Sequence, residues 1–147
     1  MDVRESIELA LDSFSEKSKL NIEINKDYDN ISKIPCYPSE LHLLWVNLIE
    51  NAMHSVSIKG KLEITIKDMG ENLLIAFRDN GVGIADDIKE KIFDPFFTTK
   101  KIGIGIGIGL DIANTVVRNH DAKLSFVSKF GEGSTFTVLL PKDDKDK

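Results

Sequence analysis

Val3, Ile7, Leu11 and Phe14 recur at three- and four-residue steps, the spacing that lines apolar side chains along one stripe of a helix, which it predicts to end near Lys17. Leu20, Ile22 and Ile24 then alternate with polar Asn21, Glu23 and Asn25, the period of a strand with one wet face. Asp27 to Pro38 reads as a loop. From Ser39 to about Ser57 a longer helix is predicted, with Leu41, Trp45, Leu48, Ile49, Ala52 and Val56 on one side and Asn47, Glu50, Asn51 and His54 on the other. Two alternating strands follow, Leu62-Ile64-Ile66 and Leu73-Ile75-Phe77, and the turn Met69-Gly70-Glu71-Asn72 between them predicts a hairpin.

Beyond Phe77 the pattern changes. Asp79 to Ile84 is a glycine turn, Asp86 to Ile92 a short helix, and Phe93 to Gly109 a long stretch with little periodicity, of a length that usually serves a function. A helix from about Leu110 to Asn119 is expected to bury Ile112, Ala113, Val116 and Val117. Two closing strands, Lys123 to Ser128 and Ser134 to Leu140, flank the turn Phe130-Gly131-Glu132-Gly133. Helices mixed with antiparallel hairpins predict an α+β fold: a two-layer sandwich whose mixed, mainly antiparallel sheet is covered by helices on one face.

Composition narrows the function classes. At 147 residues and 41% apolar, the chain suits one domain, expected over residues 1–141, followed by a frayed charged tail over 142–147. A formal charge of -5 argues against nucleic acid as partner, since surfaces built for a phosphate backbone are basic. The single cysteine, Cys36, allows no internal disulfide and fits a reducing, cytoplasmic setting. No stretch reaches the ~18 apolar residues of a membrane helix, so no direct membrane contact is expected.

Four separated strings carry candidate chemistry. Asn47-Leu48-Ile49-Glu50-Asn51-Ala52 repeats an asparagine after one helical turn, and an amide carbonyl can give a hard cation an oxygen without adding charge. Asp79-Asn80-Gly81-Val82-Gly83-Ile84 follows a strand; its carboxylate only accepts hydrogen bonds, and its glycines let backbone approach a flat ligand. Phe93-Asp94-Pro95-Phe96-Phe97-Thr98-Thr99-Lys100 sets three phenylalanines beside a hydroxyl and cation cluster. Gly103-Ile104-Gly105-Ile106-Gly107-Ile108-Gly109-Leu110 has too many glycines for a strand, but a glycine run leading into a helix offers free amides to phosphate oxygens. It is neither a P-loop nor a dinucleotide fingerprint, because the spacing is wrong for both.

Together these strings resemble the GHKL family of ATP-binding domains, shared by histidine kinases, gyrase-type topoisomerases, mismatch-repair proteins and a heat-shock chaperone. The resemblance runs from roughly Pro38 to Pro141. It implies that Asn51 ligates magnesium, that Asn47 supports metal and phosphates, and that His54 lies near the phosphates. It implies that Asp79 reads the exocyclic amine of adenine, with Gly81, Gly83 and Ile84 in the loop beneath the base. Phe93 and either Phe96 or Phe97 would pack under a lid that carries Thr98, Thr99 and Lys100, with Lys100 on the phosphates and Lys101 as second candidate. Gly105, Gly107, Gly109 and Leu110 take the usual places of the second glycine box, whereas Ile106 departs from its small hydroxyl residue. The closing string Gly131-Glu132-Gly133-Ser134-Thr135-Phe136 would place Thr135 beside the adenine, supporting the network around Asp79.

Within that family, members that hydrolyse ATP carry a glutamate where this chain has Asn47, which favours a histidine kinase. The resemblance then implies Mg2+ and ATP as cofactors, ADP as product, a helical hairpin of the same kinase as phosphoacceptor and a response regulator downstream in two-component signalling. His42 and His54 lack the acid that follows an acceptor histidine, and His120-Asp121 ends a helix and leads into a strand with no proline, so the acceptor is expected elsewhere. Two rivals remain: a module that uses nucleotide only to close its lid and change partners, and a serine kinase, built on the same fold, that regulates a sigma factor.

Overall fold

The structure, a computed structural model, describes residues 1–14, 22–55, 60–81, 111–129 and 131–142, apart from the side chains of His54, Ser55 and Asp111. Alternation of apolar residues drives the sheet. In β2 (Gly60–Asp68) and β3 (Asn72–Asp79), Leu62, Ile64, Ile66, Leu73, Ile75 and Phe77 are buried, and the residues between them are more exposed. They pair antiparallel, with Leu62 opposite Asp79, around a turn in which Met69 donates to the carbonyl of Asn72 at 2.8 Å and Gly70 takes φ +90°.

β1 (Ile22–Tyr28) joins β2 in parallel, and β5 (Gly133–Pro141) bridges β3 and β4 (Lys123–Lys129) in antiparallel fashion, giving the order β1-β2-β3-β5-β4. A parallel pair needs a crossover, supplied here by helix α2 (Pro38–Ser55). This is the mixed, mainly antiparallel sheet expected.

Among the described residues, three helices cover the inward side of the sheet. α1 (Val3–Asp12) contributes Val3, Ile7, Ala10 and Leu11, α2 contributes Leu41, Leu44, Trp45, Leu48, Ile49 and Ala52, and α3 (Asp111–Asn119) contributes Ala113, Val116 and Val117 to one shared core. Trp45 packs on Phe77 with ring centroids 5.8 Å apart, and its Nε1 donates to the buried Ser6 hydroxyl at 3.0 Å, tying α1 to α2. Among the described residues no helix covers the opposite side: Val127, for instance, is 78% exposed.

Several boundaries differ from expectation, each for a local reason. α1 closes at Asp12 instead of near Lys17, because Ser13 turns both its hydroxyl and its N–H onto the Ala10 carbonyl. β1 runs on to Tyr28, through the expected loop start at Asp27, because β2 offers a parallel ladder as far as Ile66. Ile112 is 49% exposed, not buried, since it lies about a quarter turn off the stripe of Ala113, Val116 and Val117. Lys142, first residue of the expected tail, donates its N–H to Glu71 and pairs with Asp68. The expected helix over Asp86–Ile92 and the segment Phe93–Gly109 lie outside the described residues.

Candidate functional site

The alternation that buries Leu73, Ile75 and Phe77 also carries Asp79 inward, where it is 6% exposed. A carboxylate in that place needs donors. The N–H of Gly81 supplies one, donating to Oδ1 at 2.9 Å within a turn that leaves Gly81 itself buried. Asn80 fastens this turn to the start of β2: its N–H donates to the Lys61 carbonyl at 3.3 Å, and its Oδ1 accepts from the Lys61 N–H at 2.7 Å.

β5 approaches from the other side. Ser134 stands opposite Asp79, Phe136 opposite Phe77, and Thr135 opposite Arg78. The register therefore sets Ser134 in the Asp79 row and sends Thr135 to the open side of the sheet, with Arg78 and Val127. That corrects the expectation for Thr135. The clue was in the sequence: Phe136, Val138 and Leu140 form the inward set of β5, and counting back by twos reaches Ser134. Gly133 explains how close the strands come, since a Cβ there would sit 2.2 Å from the backbone oxygen of Asp79, and its φ is +109°. Sequence reasoning also passed over Ser128, which is 7% exposed on β4 and lies 2.7 Å from the Ser134 hydroxyl.

Asn51 lies in the last turns of α2. Chain geometry puts that helix end and Asp79 at the same end of the sheet. Leu62, the third residue of β2, pairs with Asp79, and the five steps from Ser55 to Gly60 span at most about 18 Å. Asn47 is one turn earlier and partly exposed, as is Asn51. The Nδ2 atom of Asn51 is nonetheless buried and has no hydrogen-bond partner among the described residues. Buried amides are normally satisfied, so an orphan here marks a place prepared for something else. An amide presents a carbonyl acceptor and an NH2 donor that exchange places by a half-turn, which suits a phosphate oxygen or a hard cation equally.

His54 belongs to α2, but its side chain lies outside the described residues, as do Gly83, Ile84, Phe93, Phe97, Thr98, Thr99, Lys100, Gly105, Gly107, Gly109 and Leu110. α3 begins at Asp111, directly after the glycine run. Among the described residues, no group of three or more His, Cys, Asp or Glu could hold a metal ion. Nor is any described helix long and apolar enough to cross a membrane.

Comparison with known proteins bears on this geometry. The family described as histidine kinase-, DNA gyrase B-, and HSP90-like ATPase matches residues 36–144. Sensor histidine kinase ZraS of Escherichia coli strain K12 is 35% identical over 113 residues, covering 77% of this chain and 24% of that protein. The nucleotide-free catalytic domain of histidine kinase ThkA superimposes with a TM-score of 0.86 at 29% identity, over 100% of this chain and 97% of that one. ThkA in complex with response regulator protein TrrA matches with a TM-score of 0.79 at 28% identity, over 97% of this chain and 41% of that one. The chain spans a quarter or less of the curated relatives it matches, 16% of one and 24% of another.

Proposed function

As this chain belongs to the family of histidine kinase-, DNA gyrase B-, and HSP90-like ATPases, we propose that it binds Mg-ATP and donates the γ-phosphoryl group to a histidine on a separate helical hairpin, in two-component signalling. The observation that carries this reading is the pairing of two unusual groups at one end of the sheet. One is a buried carboxylate, Asp79, held by the Gly81 N–H. The other is the buried Asn51 amide nitrogen, which has no partner among the described residues.

The chemistry of each suits one part of the nucleotide. A carboxylate accepts only, adenine's exocyclic amine donates only, and a charged hydrogen bond of this kind contributes about 1.5–3 kcal/mol, roughly ten- to a hundredfold in affinity. Guanine presents a carbonyl at the same place and is repelled. Asn51, with Asn47 one turn behind it, would hold magnesium, which takes few protein ligands and completes its shell with water and phosphate. When bound, magnesium neutralises charge on the transferring phosphoryl group.

Such transfers depend mostly on positioning and charge, and the described residues are suited to that task. Asp79 and the turn at Gly81 fix the base, and α2 orients the amides toward the phosphates. Lys100 and the glycines at 105, 107 and 109 are proposed as the phosphate-facing cover. The acceptor hairpin, a response regulator and a cytoplasmic setting belong to this same reading; the complex of ThkA with TrrA supports the second.

Calorimetry of a non-hydrolysable ATP analogue, with and without magnesium, tests the binding half. Wild type should bind in a magnesium-dependent way, Asp79→Asn should lose at least tenfold, and Asn51→Ala should lose the magnesium dependence. Mixing the chain with a separately expressed acceptor hairpin and labelled ATP tests the transfer half. Acid-labile label on the hairpin is expected, and tight nucleotide binding without transfer would overturn the kinase assignment.

A further inference from the structure

Three residues on adjacent strands share the inward row at the nucleotide end of the sheet: Asp79 on β3, Ser134 on β5 and Ser128 on β4, in register as Asp79 with Ser134 and Ser134 with Ser128. All three are buried, at 6%, 6% and 7% exposure. Directly opposed side chains in such ladders stand about 4.5–5.5 Å apart at Cβ. A ligand group that meets the Asp79 carboxylate therefore comes within reach of the Ser134 hydroxyl.

What Ser134 can offer that group depends on where its one proton points. Ser128 Oγ donates to the Gly133 carbonyl at 3.2 Å and lies 2.7 Å from Ser134 Oγ. A carbonyl can only accept, and each hydroxyl has a single proton. Both contacts are satisfied with one proton apiece in just one arrangement: Ser134 donates to Ser128, and Ser128 donates to Gly133. Ser134 then faces the Asp79 row with lone pairs alone.

We infer that Ser128 is a specificity-determining positioning residue, which holds the Ser134 proton away from the base and makes the whole row acceptor-only. Two adjacent acceptors match a 6-aminopurine, whose amine has two N–H donors. They reject a 6-oxopurine, which would leave buried acceptors facing its carbonyl. Without Ser128, the Ser134 hydroxyl can rotate and donate to that carbonyl. The inference rests on Asp79 reading the base, as proposed above, and adds that a residue two strands away sets the polarity of its neighbour.

The test is calorimetric affinity for non-hydrolysable ATP and GTP analogues with magnesium, measured on the full 147-residue chain. Ser128→Ala should shrink the ATP-over-GTP preference by about tenfold, mainly by improving GTP, while Ser128→Thr, which keeps the hydroxyl, should retain it. In the Ser134→Ala background no hydroxyl is left to donate, so adding Ser128→Ala should change the preference no further. Equal weakening of both nucleotides by Ser128→Ala, or an unchanged preference, would overturn the inference while leaving Asp79 in its role. If Asp79→Asn leaves the preference intact, the base-reading assignment itself fails, and this inference with it. Should Ser128→Ala not fold, Ser128→Cys decides between the same outcomes, because a thiol is too weak a donor to hold the relay.

Discussion

Nε2 of His120 accepts the backbone N–H of Tyr37 at 3.1 Å, across 83 residues of sequence, and so pins the end of α3 to the start of α2. The ring is 2% exposed and meets Tyr37 edge-on, with centroids 5.4 Å apart. Because Nε2 accepts, the proton sits on Nδ1, which donates to the Val116 carbonyl at 2.9 Å. Tyr37 in turn offers its carbonyl to Leu41, opening α2. Replacing His120 by Ala removes the acceptor of the Tyr37 N–H and leaves a cavity, so we expect a loss of about 2–4 kcal/mol in urea unfolding. A loss below 0.5 kcal/mol would show that the ring is dispensable.

Most of this architecture was legible in the sequence, because it is dictated by periodicity. The three-four spacing of Val3, Ile7 and Leu11 and the alternation from Leu62 to Ile66 fix which faces are buried before any partner is known. The parallel reach of β1 to Tyr28 was not legible, since Asn25 to Asp27 have no apolar signal and are held by backbone pairing to β2. At the site, Asp79 and Asn51 stood out through their motifs. Thr135 was misplaced and Ser134 and Ser128 were passed over, because motif matching ignores which face of β5 a residue takes. The hydroxyl relay depends on two strands meeting in register, a relation that no single string contains.

Asn51 should carry a cost in the absence of ligand. Its Nδ2 is buried without a partner among the described residues, and asparagine is a poorer helix former than alanine. Asn51→Ala should therefore raise the stability of the nucleotide-free chain by about 0.5–1 kcal/mol, while removing the magnesium-dependent thermal shift produced by nucleotide. A destabilised ligand-free variant would mean that the amide serves the fold.

At the start of α1, Asp2 caps the helix by accepting the Arg4 N–H at 2.9 Å. The Arg4 side chain also reaches its two oxygens, at 3.1 and 2.8 Å. That side-chain hydrogen bond is the main reason the Asp2 carboxyl is held below its ordinary value of 3.8, against the opposing effect of burial. With the folded value lowered, the contribution is complete above the ordinary value and disappears as pH falls through the lowered one. Asp2→Ala should cost about 1 kcal/mol at neutral pH. The gap to wild type should close as urea titrations move below about pH 4, and a gap that persists in acid would rule out the charged cap as its source.

Tyr28 presents the reverse case from Asp2. Its hydroxyl is buried with no hydrogen-bond partner among the described residues, and burial, reinforced by the charge of Glu8, pushes the phenol well above its usual range. A hydroxyl removed from water without compensation opposes folding. Tyr28→Phe is accordingly expected to be neutral or stabilising by up to about 1 kcal/mol in thermal unfolding. A clear loss of stability would mean that the hydroxyl has a bound partner in solution.

Gly133 is the tightest contact at the site and the sharpest test of its geometry. Its φ of +109° is unfavourable for any other residue, and a Cβ would stand 2.2 Å from the Asp79 backbone oxygen and 3.1 Å from Asn80 Cα. Neither neighbour is a flexible side chain that could swing aside; both belong to the turn in which the Gly81 N–H holds the Asp79 carboxylate. Gly133→Ala should cost about 3 kcal/mol or more, combining backbone strain with overpacking. Relief can come only by moving β5 away from Asp79, which would also separate Ser134 from the carboxylate. Adenine-nucleotide affinity should thus fall along with stability, whereas Gly131→Ala serves as control: it shares the positive φ, at +87°, but meets nothing within 4 Å. If the two variants lose affinity equally, turn strain and not the approach to Asp79 governs the site.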